Sequence, residues 1–246
     1  MYLACLMPTF GRPSLAANSL ALYLRQKLEG HTADLFILDD AGQIASQCGG
    51  EPGHRWHVYA NDQRYPTLPA KYRELVSLAG PEAEAYVVWD DDDVYLPWHL
   101  AAHADTLARY AWSHPSAIYS TYGRQSIDDR PAIEPAAGRF HGALGIRRDT
   151  LQDLGGWIQT ADATFDQQML AALGRYGRPG DPCRAAGRID NPSYVYRWSD
   201  TERWHCSGVM DCPDWYQRTP IEEPGRVERL VPKLDASSRE LLEMLA

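Results

Sequence analysis

The first 110 residues alternate short apolar segments with segments of helical periodicity, and this alternation is the strongest constraint on the fold. Strands are predicted at Tyr2–Met7, Asp34–Leu38, near Trp56–Tyr59 and at Ala85–Trp89. Helices are predicted from Ser14 to about Glu29, at Leu68–Leu78 and from Pro97 to about Tyr110. Such alternation is typical of α/β proteins, in which helices cover both faces of a mostly parallel sheet. Ligands of these folds bind at the carboxyl ends of the strands.

The second half of the chain is less regular. It contains predicted strands at Ala117–Tyr122, Phe140–Ile146 and Tyr194–Trp198. It also contains predicted helices at Asp149–Leu154, at Phe165–Tyr176 and at about Ser237–Leu245. No clean linker separates the two halves, so we expect one domain over residues 1–246, with halves 1–100 and 101–246.

Charge and composition exclude several classes of protein. The net charge of −9, from 24 basic and 33 acidic residues, argues against nucleic-acid binding, which requires phosphate neutralisation. No apolar run approaches the roughly 20 residues of a membrane helix, and the N-terminus lacks the features of a signal peptide. The five cysteines form no CxxC pair, which favours a reducing compartment. We therefore expect a soluble, cytoplasmic protein, for which peripheral contact with a membrane stays open.

Four consecutive aspartates, Asp90–Asp93, follow the predicted strand Ala85–Trp89. Their mutual repulsion would destabilise the fold unless a positive charge relieves it, and a divalent cation with oxygen ligands is a natural partner. A solvated acidic turn is the simpler interpretation of an acidic run. Placement directly after a buried strand of an α/β pattern favours the metal site.

Two metal-dependent chemistries fit this run. A cation can stabilise the diphosphate that leaves during transfer from a nucleotide sugar. Alternatively, Asp90–Val94 fits the DxDx[TV] pattern of haloacid-dehalogenase-like phosphatases, whose first Asp is the nucleophile. That motif normally ends the first strand and is followed by an acidic GDxxxD motif. Here the run follows a later strand and Gly180–Pro182 does not continue the second motif, so the phosphatase ranks lower.

Five segments, taken in order, resemble inverting glycosyltransferases of family 2, which have the GT-A fold. The segments are MPTFGRP at Met7–Pro13, LDDAG at Leu38–Gly42, LPAKYRELVSLAG at Leu68–Gly80, WDDDDVYLPWHL at Trp89–Leu100 and FHGALGIRRDTLQDLGGW at Phe140–Trp157. The resemblance covers about residues 1–176, with weaker support to about 210. It implies a Rossmann-like, mostly parallel sheet, a nucleotide-binding half at residues 1–100 and a less regular acceptor-binding half at residues 101–246.

The resemblance also implies nucleotide-binding roles for Thr9, Arg12, Asp39, Asp40, Lys71, Arg73 and Asp91. The two residues of the first loop would lie beside the nucleotide. The first two aspartates would accept hydrogen bonds from the base or ribose, and Asp91 would contact the ribose or a metal-bound water. The two basic residues of the third segment would face the diphosphate, although the family often has Asn where Arg73 stands.

The resemblance implies that Asp92 ligates Mn²⁺ or Mg²⁺ directly. Because the run contains four aspartates, the register could shift by one, so Asp90 and Asp93 stay as alternatives. His205 matches the position of a histidine that is a further metal ligand in some members. A lone histidine is also often only a polar residue without a metal role.

A catalytic base must take the proton from an acceptor hydroxyl. In the family this base is a carboxylate near the start of the helix after the Gly-Gly turn, and Asp166 takes that place. The preceding Glu of the family is absent, since Phe165 stands there. Asp162 is the alternative base, and Asp166 could also be only a carboxylate that interacts with the helix dipole.

The resemblance thus implies a metal-dependent inverting glycosyltransferase. Its donor would be a nucleoside-diphosphate sugar of UDP or GDP type, and its acceptor a carbohydrate or another hydroxyl compound. The departures at Phe165 and Arg73 keep open a non-catalytic module that only binds a sugar nucleotide. A nucleotidyltransferase is disfavoured, because only Gly11 is present where its Gly-rich phosphate loop would lie.

Overall fold

A computed structural model describes residues 1–120, 132–136, 138–187 and 191–197, together with Leu230, Leu234, Arg239 and Glu243. The end of the predicted strand Ala117–Tyr122, most of the predicted C-terminal helix and His205 lie outside the described residues. No helix among the described residues is long and apolar enough to cross a membrane.

The described residues form two sheets and the helices that pack on them. The strands are β1 Tyr2–Thr9, β2 Thr32–Asp39, β3 Gln47–Glu51, β4 His54–Ala60, β5 Ala85–Val88, β6 Val94–Tyr95, β7 Trp112–Ser113, β8 Ala117–Ser120, β9 Ala132–Pro135, β10 Gly145–Arg147 and β11 Tyr194–Tyr196. The α-helices are α1 Pro13–Tyr23, α2 Leu68–Ala79, α3 His99–Leu107, α4 Arg148–Asp153, α5 Phe165–Leu173 and α6 Pro182–Ala185. Short 3-10 helices lie at His141–Ala143 and Gly174–Tyr176.

The larger sheet has the strand order β3-β4-β2-β1-β5-β10-β7. Strands β4, β2, β1 and β5 are parallel, whereas β3 and β10 run antiparallel to them. This arrangement confirms the predicted α/β class with a mostly parallel sheet. In register, Thr9 at the end of β1 lies beside Asp39 at the end of β2, and β5 flanks β1 on its other side. The segments after β1, β2 and β5 therefore start at one edge of the sheet.

Both faces of the parallel strands are buried, as is usual where helices cover a sheet on each side. Along β1, Leu3, Cys5 and Met7 belong to the core that includes buried residues of α1 and α3. The alternating residues Ala4 and Leu6 belong to the core on the other face, with residues of α2 and α5. Alternate residues of β1 therefore face different helices on the two sides of the sheet.

The aspartate run joins the two sheets. Strand β5 ends at Val88, and β6 begins at Val94 in a four-stranded sheet of order β6-β11-β8-β9. Strand β11 pairs antiparallel with β6 and parallel with β8. Asp90–Asp93 are therefore anchored by strands at both ends.

Three of the differences from the sequence-based prediction have a visible local cause. Helix α1 ends at Tyr23 instead of about Glu29, because the backbone N–H of Lys27 donates to the carbonyl of Pro97 at 2.7 Å instead of to a carbonyl of the preceding turn. The predicted strand Phe140–Ile146 is a left-handed residue, a 3-10 turn and only then β10, since Phe140 has φ of 65°. Strand β3 was not predicted, because its sequence QCGGE lacks a strand-like apolar pattern.

Candidate active site

The ends of β1 and β5 meet through a hydrogen bond between side chains. Thr9 Oγ1 donates to Asp91 Oδ2 at 2.7 Å, and both residues are almost completely buried. Asp39, which lies beside Thr9 in the strand register, is buried as well. The structure thus brings three of the predicted nucleotide-binding residues to one edge of the sheet.

Arg12 bridges the two central aspartates of the run. Its Nη2 lies 2.6 Å from Asp91 Oδ1 and its Nη1 lies 2.9 Å from Asp92 Oδ2. Arg12 occupies the position before Pro13 of α1 and follows Gly11, whose φ of 67° requires the left-handed region. The Arg12 side chain is 18% exposed, against 1% and 6% for the two carboxylates, so the guanidinium lies on their solvent side.

Burial dominates the electrostatics of Asp91. Loss of solvent raises its pKa to about 6, and the neighbouring Asp92 carboxylate adds to the rise. The guanidinium of Arg12 and the hydroxyl of Thr9 oppose this shift by stabilising the charged form. The site therefore contains a carboxylate that would gain stability in its charged form from additional positive charge.

Lys71 of α2 is a buried cation beneath the same edge. Its Nζ donates to the carbonyl of Thr9 and to Asp40 Oδ1, both at 2.6 Å, and the residue is 2% exposed. Burial lowers the pKa of Lys71, while Asp40, Asp91 and Asp39 favour its charged form. Arg73, the other predicted diphosphate-facing residue, is exposed and makes no hydrogen bond to this group within the described part of the chain.

Asp39 and Asp40 shape the loop that follows β2. Asp39 accepts hydrogen bonds from three backbone N–H groups of the next turn, at 2.7 to 3.0 Å. Burial raises the pKa of Asp39, and these three bonds oppose the rise. Asp40 Oδ2 accepts a hydrogen bond at 2.9 Å from the backbone of Tyr65. Both carboxylates thus hold loop backbone beside the candidate site.

The outer two aspartates of the run are bound by aromatic hydroxyls. Tyr72 of α2 donates to Asp90 Oδ1 at 2.9 Å, and Tyr194 of β11 donates to Asp93 Oδ2. The backbone N–H of Arg197 donates to Asp93 Oδ1 at 2.9 Å. The side-chain Nε of Arg197 donates to the backbone carbonyl of Asp92. The structure thus separates the run into an outer pair facing tyrosines and an inner pair facing Arg12.

Sequence reasoning missed the three residues that hold the outer pair. Tyr72, Tyr194 and Arg197 lie 18, 101 and 104 positions from their aspartate partners. No motif spacing connects residues that distant, so only the folded sheet order reveals the contacts. The sequence signal for these residues is the apolar pattern of α2 and β11, which predicts that they are buried but does not identify their hydrogen-bond partners.

Asp166 lies in the first turn of α5, half-buried, where burial raises its pKa. The adjacent Phe165 packs 6.5 Å from the ring of Tyr72 and 5.3 Å from that of His141, measured between centroids. These contacts place the start of α5 next to the ring of Tyr72, the residue that donates to Asp90. Asp162 is exposed, and hydrogen bonds from Thr164 lower its pKa. Of the two predicted candidate bases, Asp166 is the more buried, and its role as a base stays a prediction.

The donor set of the site partly meets the needs of a divalent cation. Within the described ranges, no three His, Cys, Asp or Glu side chains form a group that could hold a metal ion. Two carboxylates, Asp91 and Asp92, do converge on one cationic group. Mg²⁺ is often held by one or two carboxylates together with substrate phosphates. The residues therefore fit a cation that binds jointly with a diphosphate, rather than one enclosed by protein alone.

Comparison with known proteins gives similarity in structure only. No protein-family model matches the sequence, and no curated protein matches it. S. aureus TarS 1–349 in complex with UDP-GlcNAc matches with a TM-score of 0.57 and 14% identity, over 82% of this chain and 60% of that chain. Mannosyltransferase PcManGT from Pyrobaculum calidifontis, in complex with GDP-Man and Mn²⁺, matches with a TM-score of 0.54 and 15% identity, over 84% and 59%.

These matches show that the chain shares the fold of these proteins, a GT-A-like α/β fold with a mostly parallel sheet, as the sequence predicts. The chain spans about 60% of the length of the structures that it matches. At this level of identity the likeness concerns the fold, and the activity has to be argued from the site.

Proposed function

We propose that this protein is an inverting glycosyltransferase that moves a sugar from a nucleoside-diphosphate sugar, of UDP or GDP type, to an acceptor hydroxyl. The observation that carries the proposal is the convergence of buried Asp91 and Asp92 on one cationic position at the strand ends of this fold. Structural neighbours bind UDP-GlcNAc, or GDP-Man with Mn²⁺, which supports a donor of the same class.

The half formed by residues 1–100 binds the donor. Arg12 offers a guanidinium fork, which matches the geometry of phosphate oxygens. Asp91 and Asp92 would hold Mn²⁺ or Mg²⁺, with His205 as a candidate further ligand. When bound, the cation neutralises the charge that develops on the diphosphate leaving group. Thr9 positions Asp91 through its hydroxyl, and Lys71 positions Asp40.

The other proposed nucleotide-binding residues lie around the same edge of the sheet. Asp39 and Asp40 hold the loop that borders the base and ribose, through the backbone bonds that they accept. Arg73 is exposed on α2 and can reach a phosphate only from the rim.

Asp166 is the catalytic base of the proposed reaction. Burial raises the pKa of this carboxyl and so strengthens it as a proton acceptor. It takes the proton of the acceptor hydroxyl, whose oxygen attacks the anomeric carbon opposite the diphosphate. The bond from that carbon to the diphosphate oxygen breaks as the new glycosidic bond forms, so the configuration inverts.

The geometry disfavours the phosphatase alternative. Its nucleophile would be Asp90, which accepts a hydrogen bond from Tyr72. The other oxygen of Asp90 lies only 2.5 Å from the position that a Cβ on Gly142 would occupy, so backbone closes that side. In-line attack on a phosphate needs open space there.

The substitution Asp166→Asn tests the proposal. The variant should retain nucleotide binding and lose transfer by about 10²–10⁴-fold, since only proton removal is affected. Binding is measured by thermal shift with UDP and GDP, with and without Mn²⁺, and transfer by release of the diphosphate. Asp162→Asn is the matched control and should stay close to wild type.

Two outcomes would contradict the proposal. Full transfer activity in Asp166→Asn would remove Asp166 from the mechanism. Nucleotide binding by the wild-type protein without turnover of any donor sugar, across a panel of UDP and GDP sugars, would favour the non-catalytic module instead.

A further inference from the structure

Arg12 is the cation that pairs with both inner aspartates. One guanidinium fork spans both carboxylates, at 2.6 Å from Asp91 and 2.9 Å from Asp92. Both carboxylates are nearly inaccessible to solvent, so their repulsion is poorly screened by water. Arg12 thus offsets part of the negative charge of Asp91 and Asp92 from within the chain.

From this geometry we propose that Arg12 and a divalent cation compete for Asp91 and Asp92, and that the cation binds only as Arg12 moves onto the donor diphosphate. The inference rests on the proposed function and deepens it, because it states how the donor and the cation depend on each other.

Competition follows from space and charge. Mg²⁺ approaches carboxylate oxygens to about 2.0–2.1 Å, and at this site those oxygens already accept the N–H groups of Arg12. Arginine does not deprotonate in proteins, so it cannot give up its charge to make room. A divalent cation would be repelled by the guanidinium if Arg12 kept its position. Either the metal ion or Arg12 must therefore leave Asp91 and Asp92.

Arg12 is the cation that can move. Its side chain is the most exposed of the three, and it follows Gly11 in the loop between β1 and α1. The displaced fork finds new acceptors on a diphosphate, which it binds in the same two-pronged manner.

Reciprocal coupling is the consequence. A nucleoside diphosphate gives Arg12 a new partner and so frees the carboxylates, which raises the affinity for the cation. By linkage, the cation raises the affinity for the diphosphate by the same factor. Mn²⁺ alone should bind the wild-type protein weakly, because it must displace Arg12 without compensation.

The test measures Mn²⁺ affinity without nucleotide, by the electron paramagnetic resonance signal of free Mn²⁺ and by calorimetry on the full chain. Arg12→Gln should bind Mn²⁺ more tightly than wild type, by about tenfold. Arg12→Lys should lie between them, since one ammonium cannot span both carboxylates as the fork does. Arg147→Gln is the charge-matched control, because it removes one positive charge at a position away from the aspartates. Arg147 pairs with exposed Asp149 and lies beside Ala85, at the start of β5, whereas the aspartates follow the end of that strand.

Folding of the variants is followed by thermal unfolding. Arg12→Gln leaves two buried carboxylates without their cation, so it should melt lower than wild type and regain more of its melting temperature on addition of Mn²⁺. If Arg12→Gln does not fold, Arg12→Lys carries the test alone. Mn²⁺ affinity that is unchanged or weaker in the Arg12 variants overturns the inference, as does a lack of Mn²⁺ binding by every variant.

The inference and the proposed function fail separately. Transfer of a donor sugar combined with unchanged Mn²⁺ affinity in the Arg12 variants would overturn only the competition. Tighter Mn²⁺ binding in those variants, with no transfer from any donor, would support the competition and contradict the enzyme.

Discussion

At the scale of single residues, the ion pair between Lys71 and Asp40 is the most deeply buried charge interaction among the described residues, with both side chains at 2% exposure or less. Removing both charges of such a pair can be neutral, but removing one leaves the other buried without its partner. Lys71 also bonds the carbonyl of Thr9, at the strand end that carries the hydroxyl donor to Asp91. The lysine therefore connects the stability of the fold to the shape of the site.

Lys71→Met should lower the free energy of unfolding by about 3–5 kcal/mol, because the buried carboxylate of Asp40 loses its ammonium partner. Urea denaturation near neutral pH measures the change. Arg147→Gln, which breaks the exposed pair with Asp149, should cost no more than about 1 kcal/mol. Equal losses in the two variants would mean that the lysine does not anchor this edge.

The sequence predicts which carboxylates reach the sheet edge, because strand ends are readable from apolar runs. It cannot predict their partners. The register of the aspartate run stays open in the sequence, and only the fold shows that Tyr72 and Tyr194 hold the outer pair while Arg12 holds the inner pair. Those contacts depend on the packing of α2 and β11, which no local pattern encodes.

At the scale of elements, the 3-10 helix His141–Ala143 packs directly against the aspartate run. A Cβ on Gly142 would lie 2.5 Å from Asp90 Oδ2 and 2.6 Å from the hydroxyl of Tyr194. Contacts this short are excluded for real side chains, so glycine is required there by close approach. The helix thus closes one side of the outer aspartates.

Gly142→Ala should lower the free energy of unfolding by about 1–3 kcal/mol, as expected when an added methyl overpacks a closed space. Gly174→Ala is the matched control. Gly174 has helical dihedral angles at the end of α5, and a methyl group added there would meet open space. That substitution should be neutral or stabilising by about 0.4–1 kcal/mol. Similar melting curves for both variants would refute the close approach.

Elements with a regular apolar pattern are predictable from the sequence, and elements fixed by tertiary contacts are not. Strands β1, β2 and β5 and helix α2 lie close to their predicted bounds. The predicted end of α1 is wrong, because the backbone N–H of Lys27 bonds to the distant carbonyl of Pro97 instead of continuing the helix. Strand β3 pairs with β4 through a glycine stretch in which Gly49 packs against the ring of Trp56, and glycines carry no strand signal.

At the scale of the whole molecule, neutral histidines are buried in the structure. His99 and His103 of α3 lie 4.4 Å apart between ring centroids, and His141 packs among aromatic rings. Burial lowers the pKa of His103 and of His141 to about 3, and that of His99 well below its usual value. These rings hydrogen-bond or pack only while they remain neutral.

The sign of the pH dependence follows from these directions. Between about pH 6.5 and 3 the unfolded chain binds protons that the folded histidines refuse, so stability is lost as the pH falls. Each histidine contributes up to about 1.4 kcal/mol per pH unit in this window. The raised pKa values of Asp91, Asp39 and Asp166 act in the opposite direction, because these carboxyls take up protons in the folded state first.

A single substitution isolates the histidine contribution from the opposing carboxyls. His103→Gln removes one group that binds a proton only in the unfolded chain, and it leaves the aspartates in place. The free energy of unfolding of the variant should therefore fall less steeply with acidification than that of wild type. The two slopes should differ by about 1.4 kcal/mol per pH unit between about pH 6 and 4. Urea denaturation of both proteins across that range gives the two slopes. The loss of the hydrogen bond to Ser113 lowers the whole curve of the variant without changing its slope. Parallel curves would show that His103 binds its proton equally well in the folded and the unfolded protein, and would contradict the lowered pKa of this buried histidine.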